Sequence, residues 1–327
     1  MFKKVNNKQL LLILIVLIGI YAIGSYIKKK RNEDTFHTNI IPKLDTNRVN
    51  CMFIYPKGAK TPIRFDLKGN TWMVSQDGIT SRAEQRSEHY VIQQLQQISP
   101  DRLATNDRQK WKDYDATDST GTRVVLLYGK DTALDVLVGR FSYVAAQKMA
   151  LSAVRLNGQK EVYSVEGFLS MNITNEFNAW RDKVIIPMEY KGWTKLNYTY
   201  TDSSFSAATD ASGGWLVDGN KPDSLAAIGI INRLTQQNYG QFVNKFDTNA
   251  VKPIAELTIA DNTHAIVTLK AYPADSLNKY VITSTMNPGA YMSGARGGMF
   301  DNIFVSKKTF FKHPEAPKTP VKKKGNK

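Results

Sequence analysis

One apolar run near the N-terminus constrains this 327-residue chain more than any other feature. Leu10 to Ile27 (LLLILIVLIGIYAIGSYI) holds eighteen residues without a charge, between Lys8 and Lys28-Lys29-Lys30-Arg31. As a helix it would reach about 27 Å, close to the hydrocarbon thickness of a bilayer. Lys8 and Lys28 can stretch their amines to the headgroups and close the gap. A secretory signal has a shorter core and a small-residue cleavage site. Ala22-Ile23-Gly24 offers such a site, but Tyr26-Ile27 continue the apolar run beyond it, so the segment reads as an uncleaved transmembrane anchor. Lys3, Lys4 and Lys8 on one side nearly balance Lys28, Lys29, Lys30 and Arg31 on the other, so the positive-inside rule is close to a tie. The short N-terminal tail and the long C-terminal part favour an N-in, C-out arrangement. The expected location is the inner (cytoplasmic) membrane, crossed once, with the bulk of the chain periplasmic or extracytoplasmic.

Charge is distributed in a way that argues against nucleic acid. Of the net +15, residues 1–31 carry +7 and residues 307–327 carry +7, which leaves +1 for everything between. A nearly neutral body implies no basic groove for a phosphate backbone. The C-terminal stretch is rich in Lys and Pro and reads as a disordered basic tail, either merely solubilising or attracted to anionic lipid or an acidic surface polymer. Cys51 is the single cysteine, so no intramolecular disulfide forms, and it reads as a small half-buried strand residue.

The body reads as α+β and as two similar repeats, each a helix packed on a mainly antiparallel sheet. In the first, Ile63–Leu67 alternates, Gly69-Asn70 turns, and Thr71-Trp72-Met73-Val74 opens the next strand. Ser81 with Glu84 predicts a capping box, followed by an inward stripe of Val91, Leu95 and Ile98. In the second, a Gly213-Gly214 turn precedes Trp215-Leu216-Val217. Pro222-Asp223-Ser224 then opens a helix with Leu225, Ile228, Ile231 and Leu234 inward. Short strands follow in both, at 123–128, 134–139, 153–156 and 162–165, then at 255–259, 265–269, 280–283 and 303–305. Phe168, Met171, Phe177 and Trp180 predict a helix connecting the repeats. The expected organisation is a tail (1–9), an anchor (10–27), a polar linker (28–49) and a first repeat (50–166). A connecting helix (167–183), a second repeat (184–306) and a basic tail (307–327) complete it. Trp72 and Trp215 would serve as core anchors or as binding aromatics, and core packing explains a matched pair more directly.

These segments resemble the bacterial domain of unknown function 4340 family. The resemblance rests on Asn70-Thr71-Trp72-Met73-Val74, Leu137-Val138-Gly139, Val162-Tyr163-Ser164-Val165, Trp180-Arg181-Asp182-Lys183 and the recurrence Gly214-Trp215-Leu216-Val217. The second copy departs where Leu137-Val138-Gly139 is expected and Thr268-Leu269-Lys270 stands instead. What the resemblance implies is a membrane-anchored extracytoplasmic protein, of a kind associated with ABC-type transport components, some linked to gliding motility. It transfers no reaction and no site residues.

Chemistry-bearing patterns are sparse. His37, His89, His264 and His313 form no metal-ligand spacing, and neither a nucleophile elbow nor a Walker loop is present. No cofactor is expected. Asp113, Asp115 and Asp118 read as a polar loop, since their spacing is not that of a calcium loop. The Gly-rich stretch 287–298 is the most unusual loop, and Asn287, Tyr291, Ser293 and Arg296 are its candidates for meeting a partner or an anion. The expected function is that of a non-enzymatic accessory protein of an envelope assembly. Its partners would be the bilayer, through the N-terminal helix, and a membrane protein such as ABC transporter subunits. The alternatives are an envelope ligand-binding module for glycan, lipid or peptide, and an enzyme of unrecognised type.

Overall fold

The computed structural model describes residues 14, 16–23, 25, 40–41, 43–237 and 240–313. Residues 16–23 are helical, with Val16, Leu17, Ile18, Ile20, Tyr21 and Ile23 exposed. Residues 10–13, 15, 24 and 26–27 of the expected anchor lie outside the described residues, as do Lys8, Lys28, Lys29, Lys30, Arg31 and 314–327. Among the described residues, no helix is long and apolar enough to cross a membrane.

The protein is α+β, with two antiparallel sheets and few helices. It divides into two units, Met1–Gly78 with Gln85–Trp180, and Ile79–Glu84 with Arg181–Lys327. The units therefore interleave along the chain, in contrast to the contiguous halves 50–166 and 184–306 expected from sequence. The cause is local. β4 (Ile79–Arg82) carries polar groups whose partners lie just after residue 180. Ala83 bridges Arg181, and Asp182 N–H donates to the Arg82 carbonyl at 2.8 Å.

Unit 1 contains β1 (Cys51–Tyr55), β2 (Ile63–Lys68), β3 (Thr71–Gln76), α1 (Ser87–Gln96) and β5 (Pro100–Thr105). β6 (Thr122–Tyr128), β7 (Asp131–Val144), β8 (Met149–Leu156), β9 (Val162–Glu166) and α2 (Leu169–Asn172) follow. Its strands lie in the order β3-β2-β1-β6-β7-β8-β9-β5. Gly69 takes φ +60 in the two-residue β2–β3 connection, the backbone region such hairpins require. Met52, Ile54, Phe65, Leu126, Leu137 and Leu151 are fully buried, and Trp180 packs edge-on to Phe65 with ring centroids 5.4 Å apart.

Unit 2 contains β10 (Lys195–Tyr200), β11 (Ser204–Thr209), β12 (Trp215–Val217), α3 (Ser224–Thr235) and β13 (Ala255–Ala260). β14 (Ala265–Pro273), β15 (Tyr280–Ser284), β16 (Met292–Ser293) and α4 (Met299–Ile303) follow. Its order, β12-β11-β10-β13-β14-β15-β16, reproduces that of β3 through β9 in unit 1. β13 alternates strictly between buried and half-buried residues, as a strand with one face on a core must. Tyr198 and Phe205 stack at 4.7 Å, and Phe310 closes edge-on against both.

Several local expectations change. α1 begins at Ser87, after Arg86 at φ +69, without a side-chain cap. Ser81 cannot cap it, being buried within β4. Val91 and Leu95 are buried in α1, but Ile98 lies beyond its end. α3 is capped by Asp223, whose Oδ1 accepts from Ala226 N–H at 2.9 Å. Its inward face is Ala226, Ala227, Ile230, Ile231 and Leu234, which leaves Leu225 and Ile228 exposed. The expected helix 167–183 is the four-residue α2 and a 3-10 turn at Phe177–Ala179. Trp180 Nε1 donates back to the Thr174 carbonyl and turns the chain between them. Ile303-Phe304-Val305 is no strand: α4 ends there, Phe304 N–H bonding the Phe300 carbonyl. The basic tail is ordered at its start, where Lys307–Phe311 forms a 3-10 turn that buries Phe310. Trp72 and Trp215 are half-buried, and the buried place in each strand is taken by Val74 and Val217.

Cys51 is more deeply buried than expected, at 6% exposure in β1. Burial first, and Asp66 second, push its thiol up to about 11. The thiol therefore stays protonated through neutral pH and is a poor nucleophile. Native protein at pH 8 is expected to resist maleimide, and protein in guanidinium to label fully, as read by mass spectrometry.

Candidate functional site

The Gly-rich stretch singled out from sequence is built into the interior of unit 2. Asn287 is buried, and its Nδ2 donates to the Asp182 carbonyl at 2.8 Å. Asp182 itself accepts from Arg82 Nε at 2.6 Å and from Val184 N–H at 2.9 Å. The buried Arg181 guanidinium lies 3.8 Å from the centre of the Phe242 ring. It donates to Asn244 Oδ1 at 2.8 Å and to the Gly289 carbonyl at 3.1 Å. Burial lowers its pKa to about 10. Ser293 is buried in β16, and its N–H donates to the Gln241 carbonyl. Tyr291 is half-exposed beside Phe246, and the Arg296 side chain lies outside the described residues. Asn287 and Ser293 thus hold the fold rather than face a partner. Asn287→Ala would leave the Asp182 carbonyl without this donor inside the protein. It is expected to cost unit 2 about 1–3 kcal/mol, read by urea denaturation.

An exposed aromatic face in unit 1 was not read from sequence. The β6 ladder on β7 ends at Thr122–Val138, and β7 then continues with β8 alone, from Phe141–Ser152 to Val144–Met149. An irregularity between Val138 and Phe141 re-aims the strand, as bulges do. Phe141 stacks on Phe168 with centroids 5.9 Å apart. Tyr143, two residues on, shares the face of Phe141 and is 56% exposed. Phe168 and Met171 are 52% and 61% exposed.

Hydrogen bonds fix this arrangement from below. Ser152 Oγ donates to the Gly167 carbonyl at 3.2 Å and accepts from Ser170 N–H at 3.1 Å. Gly167 N–H donates to the Ala150 carbonyl at 2.8 Å. Asn172 Nδ2 donates to the Tyr90 hydroxyl at 3.4 Å and to Gln94 Oε1 at 3.2 Å, tying α2 to α1 and the exposed Tyr90. The result is a pre-positioned patch of aromatic and thioether side chains, the types enriched where proteins bind one another. The Phe141-x-Tyr143 alternation after Gly139 was its one signal in the sequence.

Beneath β7, the acidic loop is a scaffold. Asp115 pairs with Arg140 at 3.4 Å, and Asp118 with the buried Arg155 at 3.3 Å. Arg155 lies 3.9 Å from the centre of the Trp111 ring, and its Nε donates to the Ala116 carbonyl at 2.8 Å. Gly139 makes the approach feasible, since a Cβ there would sit 2.2 Å from the Tyr114 carbonyl oxygen. Among the described residues, no group of three or more His, Cys, Asp or Glu side chains could hold a metal ion.

A family model described as "Domain of unknown function (DUF4340)" matches residues 82–276, more than half of the chain. The chain belongs to the DUF4340 family. No curated protein and no solved structure matches it. The DUF4340 match takes in α1 through β14, and so contains Tyr90, Gly139, Phe141, Tyr143, Phe168 and Met171. Asn287, Tyr291, Ser293 and Arg296 fall outside it.

Proposed function

We propose that this DUF4340 protein is a single-pass, membrane-anchored accessory component of an envelope assembly, acting by protein–protein contact. The observation that carries the reading is the face of Tyr143, Phe168 and Met171, exposed beside the half-buried Phe141 and braced by hydrogen bonds. Ordering such a patch in advance lowers the entropic cost of binding. The uncharged run from Leu10 to Ile27 supports the anchor, with the body outside the cytoplasm. Tethering the body to the bilayer raises its effective concentration at a membrane partner. The matching strand orders support two repeats of one ancestral unit. The family resemblance nominates an ABC-type transport complex as the partner. Brief crosslinking in intact cells, followed by copurification and mass spectrometry, tests this. Permease and ATPase subunits are the expected recovery, and the protein alone at good yield would overturn the reading.

A second reading, an envelope ligand-binding module, has its own observation in unit 2. A cavity of about 330 Å³ there is lined by Tyr200, Ser204, Phe205, Phe304, Ser306 and Lys307. Its size and mixed lining suit a small ligand. Thermal-shift measurements with envelope glycans and peptides would favour it if they raise the melting temperature.

A further inference from the structure

We propose that the outer face of α3 and the 3-10 turn at Lys307–Phe311 dock on an anionic lipid bilayer. This goes beyond the anchor and the aromatic face, because it assigns a membrane contact to unit 2.

α3 turns two large aliphatic side chains outward one turn apart, Leu225 at 59% and Ile228 at 51% exposure. The same helix lines an open depression of about 530 Å³, in which Leu225, Gly229 and Arg233 meet Thr309, Lys312 and His313. Phe311 adds a partly exposed ring, and Lys308, Lys312 and Arg233 are exposed cations. The turn is held in place. Phe310 is fully buried against Phe205 and Tyr198, Asp223 N–H donates to the Phe310 carbonyl at 3.0 Å, and His313 Nδ1 lies 2.9 Å from Asp223 Oδ2. Asp223, an acid beside this surface, is thus occupied by the helix cap and His313.

Charge selects the occupant. The chain leaves this surface into residues 314–327, which carry five Lys against one Glu. Exposed aliphatic and aromatic groups ringed by cations, continued by a polybasic segment, match the two-part recognition of an anionic membrane. The apolar groups enter the headgroup boundary while the lysines meet lipid phosphate.

The test uses the full chain carrying Ile228→Cys, labelled with an environment-sensitive fluorophore; the buried Cys51 does not compete for the label. Vesicles are phosphatidylcholine with or without phosphatidylglycerol. A blue shift only with phosphatidylglycerol, reversed by high salt, is expected, and the same at Leu225→Cys. Lys308→Gln with Lys312→Gln is expected to weaken the response on the order of tenfold. Equal emission in both vesicle types overturns the proposal, as does a shift produced by an acidic protein but not by lipid. Flotation with pure phosphatidylcholine reports the N-terminal anchor alone, so failure of the anchor reading is seen separately.

Discussion

Exchanging Phe168 and Met171 for aspartate is expected to abolish recovery of the membrane partner while the protein stays folded. Both side chains are more than half exposed, so the folded state loses little by their removal. A bound partner would cover them, and each substitution would then trap a charge in an apolar contact. Central aromatic contacts cost about 2 kcal/mol or more when truncated, so the pair corresponds to a loss of affinity of at least about 10²-fold. Thr132→Asp, exposed at the other end of β7, is the control and is expected to bind normally. Unchanged recovery with the double substitution would remove this face from the mechanism.

Gly139→Val is expected to be the most damaging single change in unit 1. Its Cβ would fall 2.2 Å from the Tyr114 carbonyl oxygen and 3.0 Å from that of Asp115. Those are backbone atoms, which cannot swing aside as a flexible side chain can. The turn from Arg108 to Tyr114 would have to leave β7, breaking the Arg140–Asp115 pair and disturbing the packing of Trp111 on Arg155. The expected cost is about 3 kcal/mol or more. Urea denaturation reads it, and limited proteolysis at Lys110 or Lys112 should accelerate. A change under about 1 kcal/mol would mean the turn yields easily, contrary to the packing.

The same glycine shows how far the sequence was legible. By sequence pattern, Leu137-Val138-Gly139 matches Thr268-Leu269-Lys270, with Lys270 at Gly139's place in the second half. Strand register gives another correspondence. Thr122 pairs with Val138, and Ala255 pairs with Ala271, in ladders that otherwise align, so Gly139 corresponds to Tyr272. Two neighbouring apolar strands look alike after a shift of two residues, because period-2 patterning repeats. Patterns that carry their own chemistry are readable: the helix opening at Pro222-Asp223-Ser224, the Gly69-Asn70 turn and the alternation of Ile63–Leu67. What failed depended on long-range partners. Ser81 looked like a cap, but belongs to a strand held by residues a hundred positions away. Phe168 and Met171 had the spacing of a buried helix face, yet α2 is only four residues long and turns them outward. The aromatic face was missed because Gly139 read as the end of a strand that continues to Val144.

The placement of residues 79–84 has a consequence for biogenesis. Arg82 and its partner Asp182 are 100 positions apart. A chain growing at about 5–20 residues per second therefore leaves Arg82 waiting for several seconds before Asp182 emerges. Throughout that interval, the polar groups of Ile79–Glu84 lack the partners they have in the folded unit, Arg181 and Asp182. It also follows that no single cut yields two self-sufficient fragments. Cleavage after Trp180 strips the second fragment of Ile79–Glu84, and with it the Ala83–Arg181 bridge and the Arg82–Asp182 pair. Splitting the gene at that point would leave the first piece with all of unit 1 and the second without the six residues that complete unit 2.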